Sequence, residues 1–336
     1  MLQALCFFLR NGYNIAIHGL FGWGFAAIRQ TPGAGLVMKR VVSVSLGSSS
    51  RDHKVTIRLL DQEVTVERIG TDGDVEKAIR LYNELDGQVD VLGVGGIDLT
   101  VHVADRHYPL RGALKLIAGV KQTPVVDGDG LKFVMERRVM QYVEAEIGHE
   151  IWPKRAMMGS AASRYALAVS FDEAGYDTVY CDLMFALGIP IPVKGLRNLR
   201  ILAAILMPIV GFLPVSFLYP MGEKQDVNVP KYEKYYQWAS VAAGDFLYLK
   251  RHMPLRMDGK VIVTNTTTQK DVEMLKERGV KYLVTTTPRL EGRSFGVNVM
   301  EGALVAVAGK GRKLTTSELE ELVEKLGLRP TIEKLN

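Results

Sequence analysis

The hydrophobic and polar positions of the N-terminal third alternate with the two-residue period of β-strands. Residues Lys54–Leu60 and Glu63–Ile69 alternate around Asp61-Gln62, which predicts a β-hairpin. Residues 75–85 instead repeat apolar side chains at helical spacing after the capping segment Thr71–Asp74. With an apolar strand on each side, at residues 40–45 and 89–94, the order β-β-β-α-β predicts a mixed sheet.

The stretch Arg155–Asp182 has the pattern of a strand, a tight turn, a helix and a second strand. Small residues fill the turn at Gly159–Ser163, and Ala162, Ala166 and Val169 repeat at helical spacing after it. Gly175 stands where a helix often ends, and Asp182 follows the next strand. This layout is typical of dinucleotide-binding βαβ units, although only the first glycine of G-x-G-x-x-G is present.

Two later strands each open into threonine-rich turns. Lys260–Asn265 leads into Thr266-Thr267-Thr268, and Tyr282–Val284 leads into Thr285-Thr286-Thr287. Ligands of open α/β sheets bind at the carboxyl ends of strands, so these turns are expected beside a nicotinamide and its ribose. Threonine is also a common helix cap, and that alternative stays open.

These patterns predict an α/β protein with an N-terminal mixed α/β domain and a C-terminal Rossmann-like, parallel-sheet nucleotide-binding domain. We expect boundaries at residues 38–150 for the possible substrate domain, 151–310 for the dinucleotide domain, and 311–336 for a C-terminal helix and tail. Thr315 and Glu318 form the predicted capping box of that last helix.

The predicted cofactor is NAD, with NADP not excluded. Asp182 is expected on the adenosine ribose, where its charge would repel the 2′-phosphate of NADP. The candidate cofactor-binding residues are Gly159, Ser160, Ala161, Ser163, Arg164, Asp182, Asn265, Thr266 and Thr287.

The candidate catalytic residues are Lys132, Asp129 and Asp98. Asp129 and Lys132 follow a short strand in the glycine-rich segment Thr123–Lys132, and they could exchange a proton with a substrate hydroxyl. Asp98 follows the buried strand at residues 89–94 and is the third candidate. A helix cap followed by a surface lysine is the alternative interpretation.

The loop Gly47–Ser50 offers a second candidate site. Together with Arg51, His53 and Lys54 it could hold an anion through backbone donors, hydroxyls and cations. A solvated hairpin turn is the alternative interpretation. The loop, followed by a hairpin, a helix and Gly95–Asp98, also suits an ATP-dependent phosphotransferase of small molecules.

Composition narrows the class of protein. The chain has 336 residues, 47% of them apolar, and a net charge of +5 with the charges interspersed, which argues against a nucleic-acid partner. The two cysteines, Cys6 and Cys181, form no disulfide framework, and no metal-ligand spacing occurs, so no metal is predicted. Cys181 is expected to be a buried strand residue, and a reducing cytoplasm is the expected location.

Two apolar segments need separate interpretation. Residues 1–37 make a poor signal peptide and are expected to be an arm or an over-extended reading frame before Met38. Ile201–Tyr219 carries no charge and follows a basic flank, but Pro208 and Pro214 should break any single spanning helix. We expect a buried helix–turn segment there, with membrane contact as the minority interpretation.

From Met38 onward the chain resembles bacterial quinate 5-dehydrogenases, a shikimate-dehydrogenase-like group. The likeness lies in Val42–Ser48, Arg68–Asp74, Gly95–Asp98, Ala243–Phe246 and Gly292–Asn298. The resemblance implies an NAD(P)-dependent oxidation of a cyclic hydroxy acid at a cleft between two domains. The chain departs from shikimate dehydrogenases where Thr123-Pro124 lacks the lysine two residues on and where the turn reads Gly159-Ser-Ala-Ala.

The expected function is therefore an oxidoreductase acting on a small hydroxy acid, as a possible homo-oligomer. The rivals are the phosphotransferase and a nucleotide-sensing or membrane-associated protein without catalysis.

Overall fold

The alternating segments and the apolar segments of the N-terminal third form strands of one sheet, which has five strands among the described residues. The computed structural model describes residues 38–214, 228–287, 289–290 and 293–336. The expectations for residues 1–37 and for 215–219 of the apolar run lie outside these residues. The strands of the N-terminal sheet, numbered in chain order, are β1 (Lys39–Ser45), β2 (His53–Leu59), β3 (Gln62–Gly70), β4 (Val91–Gly95) and β7 (Val125–Val126).

The order of this sheet is β2-β3-β1-β4-β7, with β2 antiparallel to β3 and the other neighbours parallel. The sheet is thus mixed, as predicted, and β2–β3 is the predicted hairpin. A separate two-stranded hairpin is formed by β5 (Thr100–Val103) and β6 (Arg106–Pro109).

The C-terminal sheet has seven strands and an order that reverses at its centre. Its order is β10-β9-β8-β11-β12-β13-β16, with the two edge strands antiparallel and the five inner strands parallel. These strands are β8 (Arg155–Met158), β9 (Asp177–Tyr180), β10 (Val193–Lys194), β11 (Val241–Ala243), β12 (Val261–Thr264), β13 (Tyr282–Thr285) and β16 (Thr331–Lys334). A further pair joins β14 (Arg289–Leu290) to β15 (Arg293–Ser294).

The parallel part of this sheet is Rossmann-like. The chain moves from β8 outward to β9 and then returns to β11 on the other side of β8. A crevice forms where winding reverses, outside the carboxyl ends of the strands. The predicted fold class, α/β with a mixed and a parallel sheet, is confirmed. The antiparallel edges β10 and β16 were not predicted.

Helices cover both sheets. They are α1 (Val75–Leu85), α2 (Arg111–Leu114), α3 (Asp129–Ile147), α4 (Tyr165–Glu173), α5 (Asp182–Leu187), α6 (Leu196–Val210), α7 (Glu233–Trp238), α8 (Phe246–His252), α9 (Gln269–Glu277), α10 (Val297–Ala308) and α11 (Thr316–Lys325). The capping box predicted at Thr315 is present, and Thr268 and Asp271 form a second one at the start of α9. The helix after the small-residue turn begins at Tyr165, so Ala162 belongs to the turn and not to the helix.

Helix α3 is shared between the two sheets. Its N-terminal half, with Leu131 and Met135, packs in the core of the N-terminal sheet, and its C-terminal half, with Val139 and Ile147, packs in the core of the C-terminal sheet. Helix α10 also packs on the N-terminal sheet, beside Val41 and Val91, although residues 151–310 were predicted as one domain. Residues 36–336 form one compact unit, and the domain boundaries stay a prediction.

The apolar segment after β10 forms α6. Leu199, Ala203 and Met207 are buried, while Ile201 and Ile205 are 50% and 61% exposed. The helix therefore buries one face and exposes the other, so the expected buried segment is buried only in part over its described residues. Within the parts of the chain that the structure describes, no helix combines the length and apolar character needed to cross a bilayer.

Candidate functional site

A cleft of about 670 Å³ opens between the two sheets. On one side it is lined by residues at the carboxyl ends of β1 and β4, Ser45 and Gly95. On the other it is lined by Asp245 and Asn265, which follow β11 and β12. Carboxyl ends of parallel strands are where open α/β sheets bind ligands. The described cleft is thus the primary candidate for a small-molecule site.

Lys132 lies on the wall of this cleft between two carboxylates. Its ammonium nitrogen is 2.8 Å from Oδ1 of Asp98 and 3.3 Å from Oδ1 of Asp129. Asp129 and Lys132 are three residues apart in the first turn of α3, so the helix places them on one face. All three residues are candidates from the sequence, and the structure brings them together.

The surroundings of this cluster raise the pKa of both Lys132 and Asp129. Burial by itself would lower the pKa of Lys132, but Asp98 and then Asp129 outweigh it and the net pKa is raised. Burial raises the pKa of Asp129, against the lowering effect of Lys132 and His102. His102 on β5, which the sequence analysis did not select, lies 3.4 Å from Asp129. The two residues are 27 positions apart in the sequence, so local spacing does not show the contact.

Arg164 holds a second buried ion cluster at the floor of the cleft. Its guanidinium group pairs with Glu136 of α3 and lies 3.0 Å from Oδ2 of Asp245, the N-cap residue of α8. Burial by itself would lower the pKa of Arg164, but Glu136 and Asp245 raise it. The same Asp245 oxygen accepts from the amide of Asn265 at 2.9 Å. Arg164, predicted to bind cofactor, therefore joins three segments of the protein.

The small-residue turn is closed by Asp182. The backbone N–H groups of Ala161 and Ala162 donate to its carboxylate at 3.1 and 2.8 Å. Burial raises the pKa of Asp182 to about 6, although those two amides favour its charged form. A pyrophosphate at this turn would need the same donors and would meet a carboxylate. The geometry thus gives Asp182 a structural role that competes with its predicted contact to ribose.

The threonine-rich turns differ in their access to the cleft. Asn265, Thr266 and Thr267 line it. Thr287 is 3% exposed, and its hydroxyl accepts from Thr266 at 3.3 Å. The hydroxyl of Thr267 is buried and has no hydrogen-bond partner among the described residues. Buried polar groups usually have one, so an unpartnered hydroxyl beside a cleft is compatible with a polar ligand.

Two arginines stand at the other end of the cleft, near Gly47. Arg68 of β3 donates to Asp52 at 2.6 Å and to the hydroxyl of Ser45 at 3.1 Å. Burial lowers the pKa of Arg68, and the positive charge of Arg51 lowers it further. Arg68 was not a predicted site residue, because its position in an alternating strand gave no sign of a ligand. The predicted loop amides are engaged locally, since Ser49 N–H donates to Asp72.

The predicted site residues divide into two groups. Those that line the cleft are Asp98, Lys132, Ser163, Arg164, Asn265 and Thr266. Those that do not are Gly159, Ser160, Ala161, Asp182, Thr287 and Asp129, the last of which reaches the cleft through Lys132. Cys181 is fully buried, as predicted, and burial raises the pKa of its thiol.

Comparison with solved structures finds remote likenesses. An NAD-dependent malic enzyme from Thermotoga maritima has 14% sequence identity and a TM-score of 0.37, with 95% of this chain and 90% of that chain covered. A shikimate 5-dehydrogenase from Thermus thermophilus in complex with shikimate has 14% identity and a TM-score of 0.34, with 87% and 100% covered. A glucose-galactose binding protein from Geobacillus stearothermophilus has 11% identity and a TM-score of 0.36, with 89% and 98% covered. At these scores the likenesses carry no argument about activity.

Comparison of sequences gives the family. No curated protein matches the chain. Residues 40–127 match a model described as a domain of unknown function, DUF8753. Residues 130–335, more than half of the chain, match a second model of the same description, DUF8754. The chain therefore belongs to the DUF8754 family of domains of unknown function.

Proposed function

We propose that the chain is an oxidoreductase that transfers a hydride between a nicotinamide dinucleotide and a small hydroxy acid bound in the cleft. The observation that carries this proposal is the position of Lys132, held by Asp98 and Asp129 on the wall of a cleft at the carboxyl ends of a Rossmann-ordered sheet. Oxidation of an alcohol requires removal of its hydroxyl proton, and the lysine and two carboxylates of this cluster can donate and accept protons.

The residues at the cleft are suited to part of a dinucleotide. Asn265, Thr266 and Ser163 offer amide and hydroxyl groups there. Thr267 contributes a hydroxyl that has no partner in the described part of the chain. When bound, the nicotinamide would supply the hydride acceptor or donor. The closed turn at Ala161 and Ala162 fits a pyrophosphate less well, because Asp182 already accepts both hydrogen bonds.

The chain's own residues would manage the proton. In the direction of oxidation, Lys132 would donate a hydrogen bond from its ammonium group to the substrate oxygen and stabilise negative charge there. The hydroxyl proton would pass to a carboxylate oxygen of Asp98, which lines the cleft, or by way of Lys132 to Asp129. Burial raises the pKa of Asp129, which favours its holding that proton. In reduction the same proton would return to the substrate oxygen.

The substrate class rests on the chemistry of the cleft and on the family resemblance. The cationic end at Arg51 and Arg68 and the proton-handling cluster at Lys132 suit a molecule with both an acid and a hydroxyl group. Quinate, shikimate and open-chain hydroxy acids are the compounds to screen. Phosphotransfer has no observation in its favour beyond the same cationic end, but Mg·ATP belongs in the test.

Thermal-shift measurements with NAD, NADH, NADP, NADPH and Mg·ATP test the proposal. A ligand at about 100 times its Kd should add roughly 2.7 kcal/mol to the free energy of unfolding and raise Tm visibly. We expect a nicotinamide cofactor to do so. Stabilisation by Mg·ATP alone, or by none of the five, would contradict the proposal.

Variants of Lys132 then test its role with the best hydroxy acid from the screen. Lys132→Met should lower kcat by about a hundredfold or more and leave the cofactor-induced shift in place, because proton handling is lost and cofactor contacts are kept. The matched control is Lys121→Met, which removes an exposed lysine. Equal activity of both variants would remove Lys132 from the mechanism.

A further inference from the structure

The segment around Gly47 brings two guanidinium groups to one point. A Cβ atom placed on Gly47 would lie 2.8 Å from Nη2 of Arg51 and 3.0 Å from Nη2 of Arg68. Gly47, Arg51 and Arg68 all line the cleft. The absent side chain thus lets two cationic nitrogens approach the backbone of Gly47, at a position on the wall of the candidate site.

Hydrogen bonds hold Arg68 in one orientation, and a short 3-10 turn places Arg51 beside it. Nη1 of Arg68 donates to the carbonyl oxygen of Ser48 and to Asp52, so this side chain is anchored in one orientation. Its Nη2, which faces Gly47, has the neutral hydroxyl of Ser45 as a partner at 3.1 Å. Arg51 ends the short 3-10 turn Ser49–Arg51, whose start is capped by Ser48. The fold therefore holds two like charges side by side.

Adjacent cations repel each other, and a shared oxyanion relieves that repulsion. The carboxylate of Asp52 neutralises charge at Nη1 of Arg68. The other nitrogen of that guanidinium, Nη2, lies beside Gly47. Carboxylates and phosphates accept such paired N–H donors with good geometry. The hydroxyl of Ser45 and that of Ser43, which accepts from Asn298 at 2.5 Å, add neutral polar groups on the same wall.

We propose that Arg51 and Arg68, over Gly47, form a subsite that binds an oxyanion of the ligand in this cleft. The shared chemistry is that of a carboxylate or a phosphate. The subsite deepens the proposed function, since it names the end of the substrate that is held, and it rests on that function only for the identity of the ligand. Binding of an anion can be measured without any cofactor.

Calorimetric titration of the full chain with three probes tests the subsite. The probes are quinate, its uncharged methyl ester and inorganic phosphate. Binding of quinate but not of the ester, with weaker phosphate binding, assigns the subsite to a substrate carboxylate. Preferential binding of phosphate assigns it to a phosphorylated ligand. Binding of neither quinate nor phosphate overturns the proposal.

Three variants locate the binding. Arg51→Gln removes one charge, and Gly47→Ala places a methyl group 2.8 Å from Nη2 of Arg51, so that the flexible end of Arg51 must move away. Each should weaken binding of the preferred anion by about tenfold or more. The matched control Arg58→Gln removes an exposed arginine that pairs with Asp61 at the tip of the same hairpin, and should leave affinity unchanged.

The outcomes separate this proposal from the proposed function. Unchanged affinity in both Gly47→Ala and Arg51→Gln would overturn the subsite, as would an equal loss in Arg58→Gln. Melting temperatures show whether each variant is folded. Anion binding that depends on Arg51, without stabilisation by any nicotinamide cofactor, would keep the subsite and reject the oxidoreductase. Cofactor binding without anion binding would do the reverse.

Discussion

Glu301 is a buried carboxyl group whose ionisation should control part of the stability. The residue lies on α10 and is 4% exposed, and its Oε2 accepts from the backbone N–H of Leu131 at 2.8 Å. Burial raises its pKa from 4.5 to about 7, against the lowering effect of that N–H group. The folded chain therefore holds this proton more tightly than the unfolded chain does.

Stabilisation by protonated Glu301 is complete below the unfolded pKa of 4.5 and is lost as the pH rises through about 7. We expect this group to lower the free energy of unfolding by up to about 3 kcal/mol between pH 5 and pH 8. Glu301→Gln should remove that part of the pH dependence, and Glu321→Gln, on the surface, should not. Urea unfolding at both pH values checks this. An unaltered pH dependence in Glu301→Gln would contradict it.

At the residue scale, the spacing of residues in the sequence predicts contacts within one helix or strand. It does not predict contacts between elements. Asp129 and Lys132 could be paired from sequence because they lie one helical turn apart. Arg164 could be selected as a polar residue near a turn, but its partners Glu136 and Asp245 are 28 and 81 residues away. Asp182 was correctly placed after a strand, yet its contact with the turn depends on how β8 and β9 pair.

At the scale of one element, substitutions on the two faces of α6 are expected to differ in their effect on stability. Leu199 is fully buried, whereas Ile205 is 61% exposed. Leu199→Ala should lower the free energy of unfolding by about 2 to 5 kcal/mol, because it leaves a cavity. Ile205→Ala should change it by less than about 0.5 kcal/mol. Chemical unfolding of both variants checks this, and a large loss in Ile205→Ala would show that the exposed face is covered in solution.

Elements with strong periodicity were predictable, and short edge elements were not. The hairpin β2–β3, α1, and the capping boxes of α9 and α11 follow from spacing and caps alone. Strand β10 has two residues, too few to show a period. Strand β16 was predicted to be part of a tail. In the structure it pairs with β13 at the edge of the sheet.

The path of the chain through the whole molecule was the least predictable feature. Helix α10 comes after most of the C-terminal sheet in sequence but packs on the N-terminal sheet. A local pattern shows that α10 has an apolar face and does not show which of two apolar sheets receives it. Helix α3 contributes to both cores, so the two sheets share one structural element.

The buried cluster of Arg164 with Glu136 and Asp245 tests how strongly α3 and the C-terminal sheet stabilise each other. Arg164 is 6% exposed and Glu136 is fully buried, with a second carboxylate oxygen that has no partner among the described residues. Arg164→Met would leave Glu136 charged and unpaired, or force it to take up a proton. We expect a loss of about 3 to 5 kcal/mol in the free energy of unfolding.

Glu136→Met should also destabilise the protein, since Arg164 would keep only Asp245 as an acidic partner. The double variant should be more stable than the sum of the two losses implies, because neither charge is then left unpaired. Arg138→Met is the matched control on α3: its ion pair with Glu324 is exposed and should contribute less than about 1 kcal/mol. Chemical unfolding of the four variants completes the cycle. Strict additivity of the Arg164 and Glu136 losses would mean that this ion pair adds no coupling between α3 and the C-terminal sheet.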